Sequence, residues 1–136
     1  MAGAAEEETP AMTKDDFLRY IDHFNSKRYH QIVPYYAEDV EIQLPNITLR
    51  GPQGIVSFYT DFHTCVHEHV DVKYLVTDEN AVAAEMYTEF ECFRDYPNAA
   101  LPFKMGETRR LLNFVHYDLE DGRFKRIRVA RYRQFP

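Results

Sequence analysis

The apolar residues of this chain change period partway along, from every third or fourth position to every second. Phe17, Tyr20, Ile21 and Phe24 recur at helical spacing behind Thr13, which with Asp15 and Asp16 forms an N-terminal cap, and Asn25-Ser26 ends that helix. Tyr29, Ile32, Val33 and Tyr36 predict a second, short helix, with Pro34 tolerable only near its first turn. Val40, Ile42 and Leu44 alternate with Glu41 and Gln43 before Pro45, the pattern of a short half-buried strand. Leu49-Arg50-Gly51-Pro52 reads as a turn, and Ile55, Phe58, Tyr59 and Phe62 form the stripe of a third helix.

After Cys65 no helical stripe survives, and residues 70–77, 81–94, 107–119 and 124–132 read as strands. Turns at Asp78-Glu79-Asn80 and Glu120-Asp121-Gly122, and a loop opening at Tyr96-Pro97-Asn98, divide them. Helices first and strands after imply an α+β fold, one curved antiparallel sheet packed on about three N-terminal helices. Val82, Ala84, Met86, Thr88, Phe90 and Cys92 share a face opposite Glu85, Tyr87, Glu89 and Glu91, so the former row points inward. In the next strand Asn113 shares the apolar row of Leu111, Val115, Tyr117 and Leu119. A buried amide costs about 1–3 kcal/mol unless it is hydrogen-bonded, which marks this residue for a ligand or a structural bond. Leu112 and Phe114 stand on the opposite face beside Arg110, His116 and Asp118, and this outer face is the expected interface of a homodimer.

The length, 136 residues, suits one domain, read as 13–136 behind a flexible tail at 1–12 rich in Ala and Glu. Ten Tyr and ten Phe without Trp bring the aromatic share to 15%, enough to line a cavity as well as a core and to supply phenol donors there. A net charge of −6 disfavours nucleic acid as a partner, since phosphate neutralisation needs a basic surface. The basic run at 123–133 alternates with Phe124, Ile127, Val129 and Tyr132 and reads as a strand. No stretch approaches the roughly 20 apolar residues of a membrane span, and Met1-Ala-Gly-Ala-Ala-Glu-Glu-Glu has no basic start or apolar stretch, so a soluble cytoplasmic protein is expected. Cys65 and Cys92 lack a CxxC spacing and read as reduced, buried residues.

Ile32-Val-Pro-Tyr-Tyr-Ala-Glu-Asp-Val, then Leu49-Arg-Gly-Pro-Gln-Gly-Ile-Val-Ser-Phe-Tyr and the hairpin Glu120-Asp-Gly-Arg-Phe-Lys-Arg, resemble SnoaL-like proteins of the nuclear transport factor 2-like, cystatin-like superfamily. The resemblance implies a cone-shaped fold with an interior pocket for a small, largely apolar molecule. It covers residues 13–133 and specifies the fold better than the reaction. Arg19-Tyr20-Ile21 with Asn25 and Ile32-Val33 is similar to the first helix of ketosteroid isomerases, where the matching tyrosine donates to the substrate oxyanion. The base of those enzymes has no counterpart, since Leu44 precedes Pro45. Against scytalone dehydratase, Asn113 matches an asparagine and His67 falls near one of two water-holding histidines, whereas Cys92 and Phe24-Asn25 stand where its other catalytic groups would be.

These matches imply Tyr20 and Asn113 as carbonyl-polarising donors and His67 as the group that moves a proton. Phe24, Tyr36, Leu44, Phe58, His69, Met86, Thr88 and Phe90 are the expected substrate contacts. His63, His67 and His69 have no carboxylate clearly placed with them, so they read as acid/base or solvated groups, and neither metal nor cofactor is expected. Two functional readings follow. One is a cofactor-independent isomerase, cyclase or dehydratase acting on a polyketide- or terpenoid-like carbonyl compound. The other is a non-catalytic pocket protein, or an interaction module using the outer sheet face.

Overall fold

Thr13 and Asp16 start the first helix by capping each other: the Thr13 hydroxyl accepts from the Asp16 amide at 3.0 Å, and the Asp16 carboxylate accepts from the Thr13 amide at 3.1 Å. Helix α1, Lys14–Asn25, buries the stripe Phe17, Tyr20, Ile21 and Phe24. This computed structural model describes residues 12–136, so the expected tail falls, Met12 apart, outside the described residues.

Helix α2 is a single turn, Tyr29–Ile32, followed by a 3-10 turn at Val33–Tyr35. Pro34 has no amide hydrogen to continue an α-helical ladder, so Tyr36 opens strand β1, Tyr36–Gln43, instead of closing a helix. Strand β2, Thr48–Arg50, occupies part of the segment expected as a turn and pairs antiparallel with β1, Ile42 opposite Leu49. Three residues are too few for a period to be read. Gly51 then takes φ of 73°, a left-handed value that turns the chain from β2 into helix α3, Gly51–Phe62.

Strands β3 (Val66–Thr77), β4 (Ala81–Cys92), β5 (Thr108–Glu120) and β6 (Arg123–Phe135) complete a six-stranded sheet of order β2-β1-β6-β5-β4-β3. The pairing of β1 with β6 is parallel and the others are antiparallel, so the sheet is mixed. Register shifts in β1, β3 and β6 bend it around the helices. As the alternation predicts, Val82, Ala84, Met86, Thr88, Phe90 and Cys92 are all buried on the helix side. No helix among the described residues is long and apolar enough to cross a membrane.

The exposed edge of β3 is tied down by one side chain from α1. The Asn25 amide donates to the Val70 carbonyl at 2.8 Å and accepts from the Val70 amide at 2.9 Å, replacing the pairs a further strand would make. Behind it, Phe124 is wholly buried at the centre of five aromatic rings, with Tyr117 and Tyr20 nearest at 4.8 and 4.9 Å between centroids.

Candidate functional site

The stripe of α1, the inner rows of the sheet and the residues after β1 leave a cavity of about 150 Å³ between them. Most of its wall is apolar. Tyr20, Phe24, Leu44, Phe58, Met86, Thr88, Phe90 and Asn113 all line it.

Three expected residues are placed elsewhere. Strand β3 begins at Val66, earlier than its first expected residue, and its inward row is Val66, Glu68, Val70 and Val72; period two therefore sends His67 and His69 to the exposed face. The His67 ring packs on Phe93 at 5.2 Å and is not a pocket group. Tyr36 is buried behind Tyr20 and is not part of the cavity wall, although their phenols meet at 2.7 Å. Of the three clustered histidines, His63 alone is buried.

His63 sits just past the last residue of α3, boxed in by the rings of Phe24, Tyr29, Tyr59 and Phe62 at 5.6 to 5.9 Å. Its Nε2 lies 2.9 Å from Glu68 Oε1, and its Nδ1 lies 2.6 Å from the Tyr29 phenol. The two side chains are 2% and 9% exposed, and Glu68 forms part of the cavity wall. Burial, followed by the charge of Glu68, pushes the Tyr29 phenol up to about 12, so it remains a donor at neutral pH. With a neutral ring, one arrangement then satisfies every group: Tyr29 donates to Nδ1, and Nε2–H donates to the Glu68 carboxylate. A carboxylate is thus fixed in a largely apolar wall, oriented from behind by an imidazole and a phenol.

Two further phenols face this carboxylate. Burial holds Tyr20 and Tyr59 above the usual phenol range, and in both the charge of Glu68 adds to the rise. Both line the cavity, and both are neutral donors. The order Tyr36 to Tyr20 to cavity is the one that uses both hydroxyl protons, because Tyr36 has no access to the cavity itself. Asn113 occupies a different part of the wall. It stands four residues along β5 from Tyr117, roughly 13 Å of extended chain.

The buried phenols also govern alkaline behaviour. Tyr20, Tyr36, Tyr59 and Tyr117 are all raised from 10.0 by burial. The folded chain holds these protons more tightly than the unfolded chain, so this contribution to stability is complete below the unfolded value and is lost as pH rises above it. Denaturant midpoints should therefore fall progressively above pH 10.0, with the phenolate absorbance of these residues appearing only together with unfolding. Their ionisation in a chain that stays folded would contradict the assignment.

Sequence reasoning passed over Glu68, Tyr29, Tyr59 and His63 as a group. The parity of Val66, Val70 and Val72 would have placed Glu68 inward. No local pattern brings Tyr29 to His63, which are 34 positions apart.

The model for SnoaL-like domains matches residues 17–127. Among solved structures, a SnoaL-like polyketide cyclase from Agrobacterium tumefaciens is 18% identical, with 90% of this chain and 91% of that chain covered at a TM-score of 0.70. An epoxide hydrolase/cyclase-like enzyme of pyran ring formation in the polyether salinomycin is 15% identical, with 87% and 88% covered at 0.69. An LEH-like epoxide hydrolase from M. tuberculosis is 12% identical, with 82% and 76% covered at 0.66. At these identities the likeness is one of fold. A search of curated protein sequences returns no match.

Proposed function

Because this chain belongs to the family of SnoaL-like domains, we propose that it is a cofactor-independent enzyme of the cyclase or isomerase type, moving a proton on a small, largely apolar carbonyl compound. The observation that carries this reading is Glu68, a carboxylate in an apolar cavity wall with His63 and Tyr29 bonded in line behind it. It takes the role that His67 cannot fill from the exposed face of β3.

In this mechanism the substrate carbonyl oxygen accepts from Tyr20, whose own oxygen accepts from Tyr36 at 2.7 Å, with Tyr59 as a second donor. Glu68 removes a proton from the carbon next to the carbonyl. The electrons of that C–H bond form the carbon–carbon double bond of an enolate, and the charge collects on the oxygen that Tyr20 holds. The enolate carbon then attacks a second carbonyl carbon of the same molecule, which closes a ring, and the alkoxide formed takes the proton back from Glu68. Where a carbon–carbon double bond adjoins the enolate, the γ-carbon recovers that proton instead, which isomerises the substrate. His63 keeps one Glu68 oxygen in place through both transfers.

The outer sheet face supports a homodimer as the working unit. Phe114, Tyr132, Tyr74 and Val76 are 47%, 63%, 65% and 44% exposed on strands β5, β6 and β3, apolar side chains that a second copy of the chain would cover. A native mass spectrum of the purified protein tests both parts of the proposal. The expected result is the mass of two chains, carrying a retained small molecule of low polarity. A bare single chain at micromolar concentration would count against the dimer and the ligand alike.

A further inference from the structure

The inward row of β6 runs Ile127, Val129, Arg131 along the cavity wall. A guanidinium thus ends an apolar row. Directly across, Arg131 faces Asn113 on β5, itself the polar member of the row Leu111, Asn113, Val115 and Tyr117. Directly opposed residues of neighbouring strands hold their Cβ atoms about 4.5–5.5 Å apart on the same face, so the two side chains start side by side. The register shift that follows, with Tyr132 as the extra residue, ends the inward alternation at Arg131 and sets Arg133 opposite Leu112 on the outer face.

The other arginine of the cavity is already engaged: Arg109 bonds Glu107 at 2.6 Å and the Pro102 carbonyl, and lies on the Phe103 ring at 3.8 Å. Arg126 and Arg128 pair with Asp118 on the outer face. Among the described residues Arg131 has no carboxylate within ion-pair distance, and its one side-chain bond is to Gln134 Oε1 at 3.2 Å. Asn113 has no side-chain hydrogen bond among the described residues. A permanent cation, exposed to solvent and with N–H donors beyond its one bond to Gln134, and an amide with its donors free therefore stand together on the cavity wall.

We infer that Arg131 and Asn113 bind a negatively charged oxygen of the ligand, a carboxylate or an ionised enol, while the apolar body of the ligand fills the cavity. The guanidinium offers two parallel N–H donors to such a group, and the amide adds a third. Glu68 faces Phe90 and Asn113 faces Met86, four residues apart along β4, roughly 13 Å. The acidic oxygen and the reacting carbon are therefore at opposite ends of the ligand. This assignment of substrate class rests on the proton-transfer reading of Glu68, but its test is one of binding alone.

2-Naphthoate and 2-naphthamide, alike in shape and different in charge, are suitable probes by isothermal titration calorimetry. The wild-type protein should bind the acid more tightly than the amide, and added salt should narrow the gap. Arg131→Gln should weaken the acid by about ten- to hundredfold, the range for a hydrogen bond to a charged group, and leave the amide unchanged. Asn113→Asp sets a carboxylate against the ligand and should also select against the acid. Equal affinity for the two probes, equal losses in the variants, or no binding of either would overturn the inference. The proton-transfer proposal would survive each of those results, since turnover by Glu68 is measured separately.

Discussion

Glu68→Gln is expected to lower turnover by about 10²–10⁴-fold, the usual contribution of a positioned acid/base group, while the protein stays folded. The amide keeps the shape of the side chain and still presents an oxygen to His63 Nε2, so the 2.9 Å contact can persist. What it lacks is the capacity to accept a proton. The decisive measurement is single-turnover kinetics on the molecule recovered from the native mass spectrum, with His67→Ala beside it. His67 is exposed on the opposite face of β3, and its loss should leave the rate near that of the wild type. A Glu68→Gln protein that turns over at the wild-type rate would end the proton-transfer reading. A slow His67→Ala protein would return the role to the histidine.

The largest expected loss of stability comes from Phe124→Ala, about 3–5 kcal/mol. Its side chain has no exposure, and its ring touches those of Phe17, Tyr20, Tyr35, Tyr36 and Tyr117, which belong to α1, the 3-10 turn, β1 and β5. These elements cannot all move inward to fill the space, so the cavity term adds to the lost transfer energy. Leu18 supplies the contrast, being 45% exposed on the outer side of α1, and Leu18→Ala should cost no more than about 0.5 kcal/mol. Urea unfolding of the two variants measures both. A Phe124→Ala midpoint close to that of Leu18→Ala would mean that the five rings close over the gap.

Period and parity made much of this protein legible in its sequence. The stripe Phe17, Tyr20, Ile21 and Phe24 marks α1, and the row from Val82 to Cys92 marks the inner face of β4. Both are local, since helical or alternating spacing is enough to say which face of an element is apolar. The α+β layering follows from the order of the periods. Legibility weakens where an element is too short for a period or stops for a stereochemical reason, as at β2 and at the 3-10 turn of Pro34. Parity also depends on where a strand begins. Starting β3 at residue 70 hides Glu68, whereas its start at Val66 puts that carboxylate in the apolar row and His67 outside.

What only the tertiary structure decided is which buried polar groups meet. Tyr29, His63 and Glu68 come from α2, the end of α3 and the start of β3, and Asn113 meets Arg131 only through the register of β5 with β6. Each residue by itself has an ordinary local explanation: an aromatic on a short helix, a histidine at a helix end, a charge on a strand. Local periodicity selects the buried face of each element. The partner of a buried polar group is set by how remote elements pack, because the cost of leaving it unsatisfied is felt only after water has been excluded.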